Sequence, residues 1–160
     1  LFIRKVYKVA MINPIKMYYI ANWLYRKHVP FIPRIIQLII FLFFNAVIPY
    51  KTSIGKNCII AHGGSGVVIN EKATIGDNVL ICQQVTIGGT GIGQSLPLIE
   101  NDVYLGAGAK IIGPVIIGNN SVIGANAVVT KSIPPRCVAA GVPARIIREN
   151  VSAHDVEVWR

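Results

Sequence analysis

An aliphatic residue recurs at every sixth position over residues 54–129. Ile69, Ile75, Ile81 and Ile87 form one unbroken series, and Ile99, Leu105, Ile111, Ile117, Ile123 and Val129 another. Ile54 and Ile60 belong to the same pattern, with three extra residues before Ile69. Four residues after each aliphatic stands a small or branched side chain, as at Cys58, Ala73, Val79, Val85, Val103, Ala109 and Ala127. Glycine often follows the aliphatic directly, as at Gly55, Gly76, Gly106, Gly118 and Gly124. A period of six does not fit the 3.6-residue turn of a helix, and turn residues recur too often for plain strand alternation. It fits a parallel β-helix, in which each unit is one short strand and one turn and three units close a triangular coil. The aliphatic then points inward and stacks on its equivalents in neighbouring coils. Corners such as Gly76, Asp77, Asn78 and Gly118, Asn119, Asn120 suit the backbone angles such turns require. The expected fold is mainly β, a β-helix over residues 51–148. A short α-helical segment precedes it (1–50) and a tail follows (149–160).

Two interruptions break the period. One is the insert at His62, Gly63, Gly64 and Ser65; the other separates Ile87 from Ile99 by twelve residues instead of six and reads GGTGIGQSLPL. Loops that leave a rigid solenoid are where sites tend to lie.

The front of the chain follows no such period. Of the 16 Lys and Arg residues, nine lie in residues 1–70, where there is no Asp or Glu, so the whole net charge of +9 resides there. Such a half meets something anionic or is simply a solvated basic surface, and composition leaves both open. Residues 35–48 are almost wholly apolar but too short for a bilayer span of about 20 residues. They form a helix buried on the end of the coil or one lying in a membrane interface. Lys16, Arg26 and Lys27 interleave with Tyr18, Tyr19, Trp23 and Tyr25, which suits either arrangement. The cysteines, Cys58, Cys82 and Cys137, form no CxxC, and no secretory signal is evident. A reduced, cytoplasmic setting is expected, at the inner face of the membrane if the front segment binds lipid.

Residues 54–148 resemble the serine acetyltransferase branch of the hexapeptide-repeat acyltransferases. The stretches that carry the resemblance are AHGGSGVVI, QQVTIGGTG, IENDVYLGAGAKIIGPVIIG and VIGANAVVTKSIPPRCVAAGVPARII. The front stretch YYIANWLYRKHVPFIPRIIQ looks like that of capsule and exopolysaccharide O-acetyltransferases of this branch. The resemblance implies a left-handed β-helix, acetyl-CoA as acyl donor, and a homotrimer with active sites between neighbouring copies. By the same resemblance His62 falls on the catalytic histidine, and Ala107 and Ala125 on residues lining the pantetheine arm. Thr130, Lys131, Arg145 and Arg148 fall near the nucleotide end, and Gly89 and Gly91 lie in the loop that walls the thioester. Three positions depart from the serine enzymes. Val47 and Ala61 stand where those have aspartates, and the loop before Pro97 lacks their Arg-His pair.

Acyl transfer to a hydroxyl needs a base, because an alcohol is a poor nucleophile near neutral pH. Histidine, with an unperturbed pKa of about 6.5, suits that task. His28 and His154 lie outside the repeat, whereas His62 sits where the repeat first breaks. It is the candidate base, the alternative being a turn residue. An acyl-cysteine route through Cys82 or Cys137 lacks a neighbouring histidine in sequence. No metal is expected, since the few His and Cys residues are scattered. The GGTGIG stretch lacks the lysine of a phosphate loop. Lys131, Arg145 and Arg148 either meet phosphates or are ordinary surface charges.

Gln83, Gln84, Gln94 and Ser95 are the candidate acceptor-binding residues. Because they are neutral, the expected acceptor is a sugar hydroxyl of a polysaccharide precursor. The alternative is serine O-acetylation in cysteine biosynthesis, and a third reading is a silent scaffold. Nucleic acid is not an expected partner.

Overall fold

The computed structural model describes residues 13–91 and 97–151. Two helices, α1 (Pro14–Arg26) and α2 (Ile32–Phe44), precede a parallel β-solenoid. Its strands fall on three faces. The first carries β1 (Ser53–Ile54), β4 (Thr74–Ile75), β7 (Leu98–Ile99) and β10 (Ile116–Ile117). The second carries β2 (Ile59–Ile60), β5 (Leu80–Ile81), β8 (Tyr104–Leu105), β11 (Val122–Ile123) and β13 (Val138–Ala140). The third carries β3 (Val68–Ile69), β6 (Thr86–Gly88), β9 (Lys110–Ile112) and β12 (Val128–Val129). All these neighbours pair in parallel, and among the described residues only β14 (Arg145–Arg148) turns back, running antiparallel along β13.

The six-residue period is the reason for this architecture. Every repeat aliphatic from Ile60 to Val129 is almost fully buried in one continuous core. The small residues four positions on, from Cys58 to Ala127, are buried as well. Ser121, the polar member of that series, donates its hydroxyl proton to the Pro134 carbonyl (2.9 Å) and accepts from the Cys137 amide (3.3 Å). Its burial therefore leaves no orphaned polar atom. The coil also begins earlier than Ile54. Ile48, six residues before it, is fully buried, and Val47 bridges Val68 in parallel. Pro49 and the polar stretch after it hide this first unit from a search for strict repeats.

The edge between the first and second faces is a structural ladder. Asp77 Oδ1 accepts from the Lys56 amide (2.7 Å), Asn101 Oδ1 from the Asp77 amide (2.8 Å), and Asn119 Oδ1 from the Asn101 amide (3.0 Å). Asn57, Asn78, Asp102 and Asn120 take φ of 57–59° at these corners, a region that Asn and Asp enter more readily than other side chains.

The helices cap the open end of the coil. Asn13 caps α1 by accepting from the Ile15 amide (3.0 Å), and Pro14 starts the helix with its φ already helical. Tyr18 and Tyr19 point into the coil end. The Tyr18 hydroxyl donates to the Thr52 carbonyl and accepts from the Ile54 amide (3.3 Å), and the Tyr19 hydroxyl donates to the Gly55 carbonyl (2.5 Å). Backbone groups of the first rung, which have no rung above them, are satisfied in this way.

Candidate active site

The insert at His62 forms a tight 3-10 turn, Ala61–Gly64, between the second and third faces. His62 lies in the left-handed region (φ 51°, ψ 38°), followed by Gly63 and Gly64, also at positive φ. For a non-glycine residue that conformation costs of order 1 kcal/mol and persists only where its surroundings hold it. Here they do. A Cβ on Gly64 would meet Ile60 Cγ2 at 2.9 Å and Pro14 Cγ at 3.2 Å, and one on Gly63 would meet Phe44 at 3.7 Å. The turn is wedged between the first rung and both helices. Ala61 is buried while His62 is exposed.

Backbone hydrogen bonds stack the later corners of this edge beneath it. The Gln84 amide donates to Ser65 O (2.8 Å), the Gly108 amide to Gln83 O (2.9 Å), and the Asn126 amide to Ala107 O (2.8 Å). Below them the Val128 amide donates to Gly141 O (3.0 Å) and the Ala144 amide to Val128 O (2.8 Å). One edge of the solenoid therefore gathers His62, Gln83, Gln84, Ala107 and Ala125, with Arg145 at its foot where the chain turns back into β14. Five strand spacings of about 4.8 Å, from β2 through β5, β8, β11 and β13 to β14, separate top from bottom, roughly 24 Å.

Other expected site residues lie elsewhere. Gly89, Gly91, Thr130 and Lys131 follow β6 and β12, so they stand on the edge between the third and first faces. Arg148 pairs with Val138 at the far end of β14, away from the His62 edge. Gln94 and Ser95 lie outside the described residues. Two residues on the His62 edge escaped the sequence reading. Lys110 Nζ donates to Gln84 O (2.5 Å), and Asn126 occupies the corner beside Ala125 at φ 56°. Neither stands out in sequence, because a lysine or asparagine at a solenoid corner is ordinary there.

The chemistry of this edge is sparsely charged. Gln83 Oε1 is buried and has no hydrogen-bond partner among the described residues. No Asp or Glu occurs at the corners 61–67, 82–85, 106–109, 124–127 or 141–144. Cys82 is buried on the second face beside the Tyr104 hydroxyl (3.5 Å), and burial pushes its thiol above the ordinary range. Burial likewise raises the Cys137 thiol. Among the described residues no three His, Cys, Asp or Glu side chains converge as metal ligands do.

Residues 97–131 match the bacterial transferase hexapeptide family, described as six repeats. The serine acetyltransferase of Synechococcus elongatus is 42% identical over 130 residues, which cover 80% of this chain and 53% of that protein. That of Bacillus pumilus is 36% identical over 151 residues, covering 93% of this chain and 69% of that protein. The crystal structure of serine acetyltransferase in complex with coenzyme A from Brucella abortus superposes with a TM-score of 0.78 at 37% identity. The match covers 84% of this chain and 54% of that one. The chain thus spans about half to two thirds of the length of these relatives.

These relatives correct the expectation of a sugar acceptor, and they lend no support to particular closeness to capsule enzymes. They are named for serine, and none for a glycan. The expectation rested on the neutral candidate acceptor residues and on charges missing at Ala61 and in the loop before Pro97. It presumed that one chain supplies every charge that holds the acceptor. With a relative 36% identical and 69% covered, and with the solenoid in common, the chain belongs to the hexapeptide-repeat transferases, on their serine acetyltransferase-like branch.

Proposed function

We propose that this chain transfers the acetyl group of acetyl-CoA to the hydroxyl of serine, with His62 as general base. The observation that carries the proposal is the single edge that runs from His62 past Ala107 and Ala125 to Arg145. An extended thioester arm laid along it would present its acetyl carbon near His62. Arg145 stands about 24 Å away, five strand spacings of about 4.8 Å each, where its side chain would meet the phosphates. Small side chains at Ala107 and Ala125 let the arm approach the backbone, and a guanidinium suits phosphate through charge-assisted hydrogen bonds. His62 Nε2 or Nδ1 takes the proton of the serine hydroxyl as its oxygen attacks the thioester carbonyl. The tetrahedral adduct collapses, the C–S bond breaks, and the departing thiolate recovers the proton from the imidazolium. No acyl-enzyme forms.

The working unit we propose is a homotrimer. Gly89, Gly91, Thr130 and Lys131 lie on a different edge from His62, so one chain offers only one wall of a cleft. A neighbouring copy would bring its other edge alongside. Glu71 and Lys72, both exposed, stand at the corner after β3, on the rung of the His62 turn, and offer charges of both signs. The ammonium and carboxylate of serine need such partners, and the described corners of the His62 edge carry no carboxylate.

Thiol release from acetyl-CoA, followed with serine as acceptor, tests the activity. Saturable turnover with serine is expected. Absence of turnover at any serine concentration, in a protein that still binds coenzyme A, overturns the proposal. Light scattering should give three times 17.4 kDa, and an active monomer would remove the shared cleft.

A further inference from the structure

We propose that the outer face of α1 and α2 docks on an anionic lipid bilayer. α2 has the sequence IPRIIQLIIFLFF, and only Pro33 and Ile40 in it are buried. Ile35, Leu38 and Phe41 are exposed, as are Leu42 (65%) and Phe43 (80%), with Phe31 (78%) just before the helix. At about 100° per residue these positions cover more than half of the helix circumference. A helix whose outer side faces only water carries polar residues there, and an apolar patch of this breadth marks a contact surface. An open groove of about 500 Å³ runs beside it, lined mainly by apolar side chains of α2 together with Ala46 and Val47.

α1 adds a second strip. Lys16, Ile20, Trp23 and Lys27 are spaced four, three and four residues apart and are all exposed, so they share one side. An apolar centre flanked by a cation at each end results. Arg26, Arg34 and Lys51 are also exposed.

Charge selects the occupant. Residues 1–70 contain nine Lys or Arg and no Asp or Glu. A second copy docked through the same face, as in an isologous pair, would set two cationic ends against each other, which like charges oppose. The covering surface must be apolar and negative. A bilayer with acidic head groups supplies both, acyl chains for Leu and Phe and anions for Lys and Arg. Tryptophan favours the same boundary. None of the described helices is long and apolar enough to cross a membrane. α2, at 13 residues, is about 20 Å long against a hydrocarbon core of about 30 Å. It therefore lies in the plane of the interface. Phe44, at its end, packs near Gly63, so docking would bring the His62 turn close to the membrane surface.

Co-sedimentation of the full chain with vesicles tests this. One set is pure phosphatidylcholine and the other holds about one quarter phosphatidylserine, a strongly anionic surface. The chain should pellet with the anionic set and scarcely with the neutral one. Lys27→Gln and Arg34→Gln should each weaken binding by about fivefold. Leu38→Gln with Leu42→Gln should weaken it by more than about tenfold while leaving thermal melting and acetyl transfer unchanged. Equal pelleting with both sets, pelleting with neither, or wild-type pelleting of the leucine double variant overturns the proposal. So does a solution mass that falls in that variant, because the face would then join copies of the chain.

Discussion

The amide of Gln84 donates to the carbonyl of Ser65 across 2.8 Å, so the corner that bears Gln83 lies directly beneath the turn that bears His62. Residues some twenty positions apart in the chain become neighbours on one edge. A Cβ on Gly66 would meet Gln84 Cγ at 3.1 Å, which leaves the two corners little freedom to move apart.

His62→Ala should lower acetyl transfer by about 100-fold or more, the usual effect of losing a general base. Coenzyme A affinity, measured by calorimetry, should stay nearly intact, since the arm is held lower on the edge. Near-normal turnover would remove His62 from the reaction.

Gly106→Ala should destabilise the solenoid by about 2 kcal/mol. Its Cβ would lie 2.7 Å from both the Ala125 amide nitrogen and the Ile123 carbonyl oxygen, and backbone of the next rung cannot swing aside as a side chain can. Gly88→Ala is the control. Among the described residues nothing lies within 4 Å of its Cβ, so denaturant midpoints should barely move, by less than about 0.5 kcal/mol in stability.

Alkaline pH should loosen the helical cap. Burial holds the Tyr18 and Tyr19 hydroxyls above their ordinary value of 10.0. The unfolded chain therefore loses these protons at lower pH than the folded one does. Their contribution to stability is whole below about pH 10 and declines as pH rises beyond it. Melting temperatures followed from pH 9 to 11 should fall less steeply for Tyr19→Phe than for the wild type. Parallel slopes would show that the phenol does not drive the loss.

Cys82→Ala should keep turnover within about threefold, because burial disfavours the thiolate that a covalent route would need. Iodoacetamide should label Cys82 slowly at pH 8. A loss of activity on the scale of the His62 variant would restore the acyl-enzyme route.

The hexapeptide period was legible from residue order alone because each inward aliphatic sets its own orientation locally. Burying Ile60, Ile81, Leu105 and Ile123 requires only that each strand turn the same side inward. The break at His62 and the excursion after Ile87 were readable for the same reason, since they disturb a local rule. Which corners share an edge was not readable, because it depends on register summed over whole coils and on inserts of uneven length. Stacking decided that Gln83, Ala107 and Ala125 stand under His62, while Lys131, near Ala125 in sequence, faces another edge. The antiparallel reversal of β14 decided that Arg145 returns to the His62 edge and Arg148 does not. The same limit governs α2. A nearly unbroken apolar run names no buried side, and contact with the coil end alone decided that Ile40 goes inward while Leu42 and Phe43 face out.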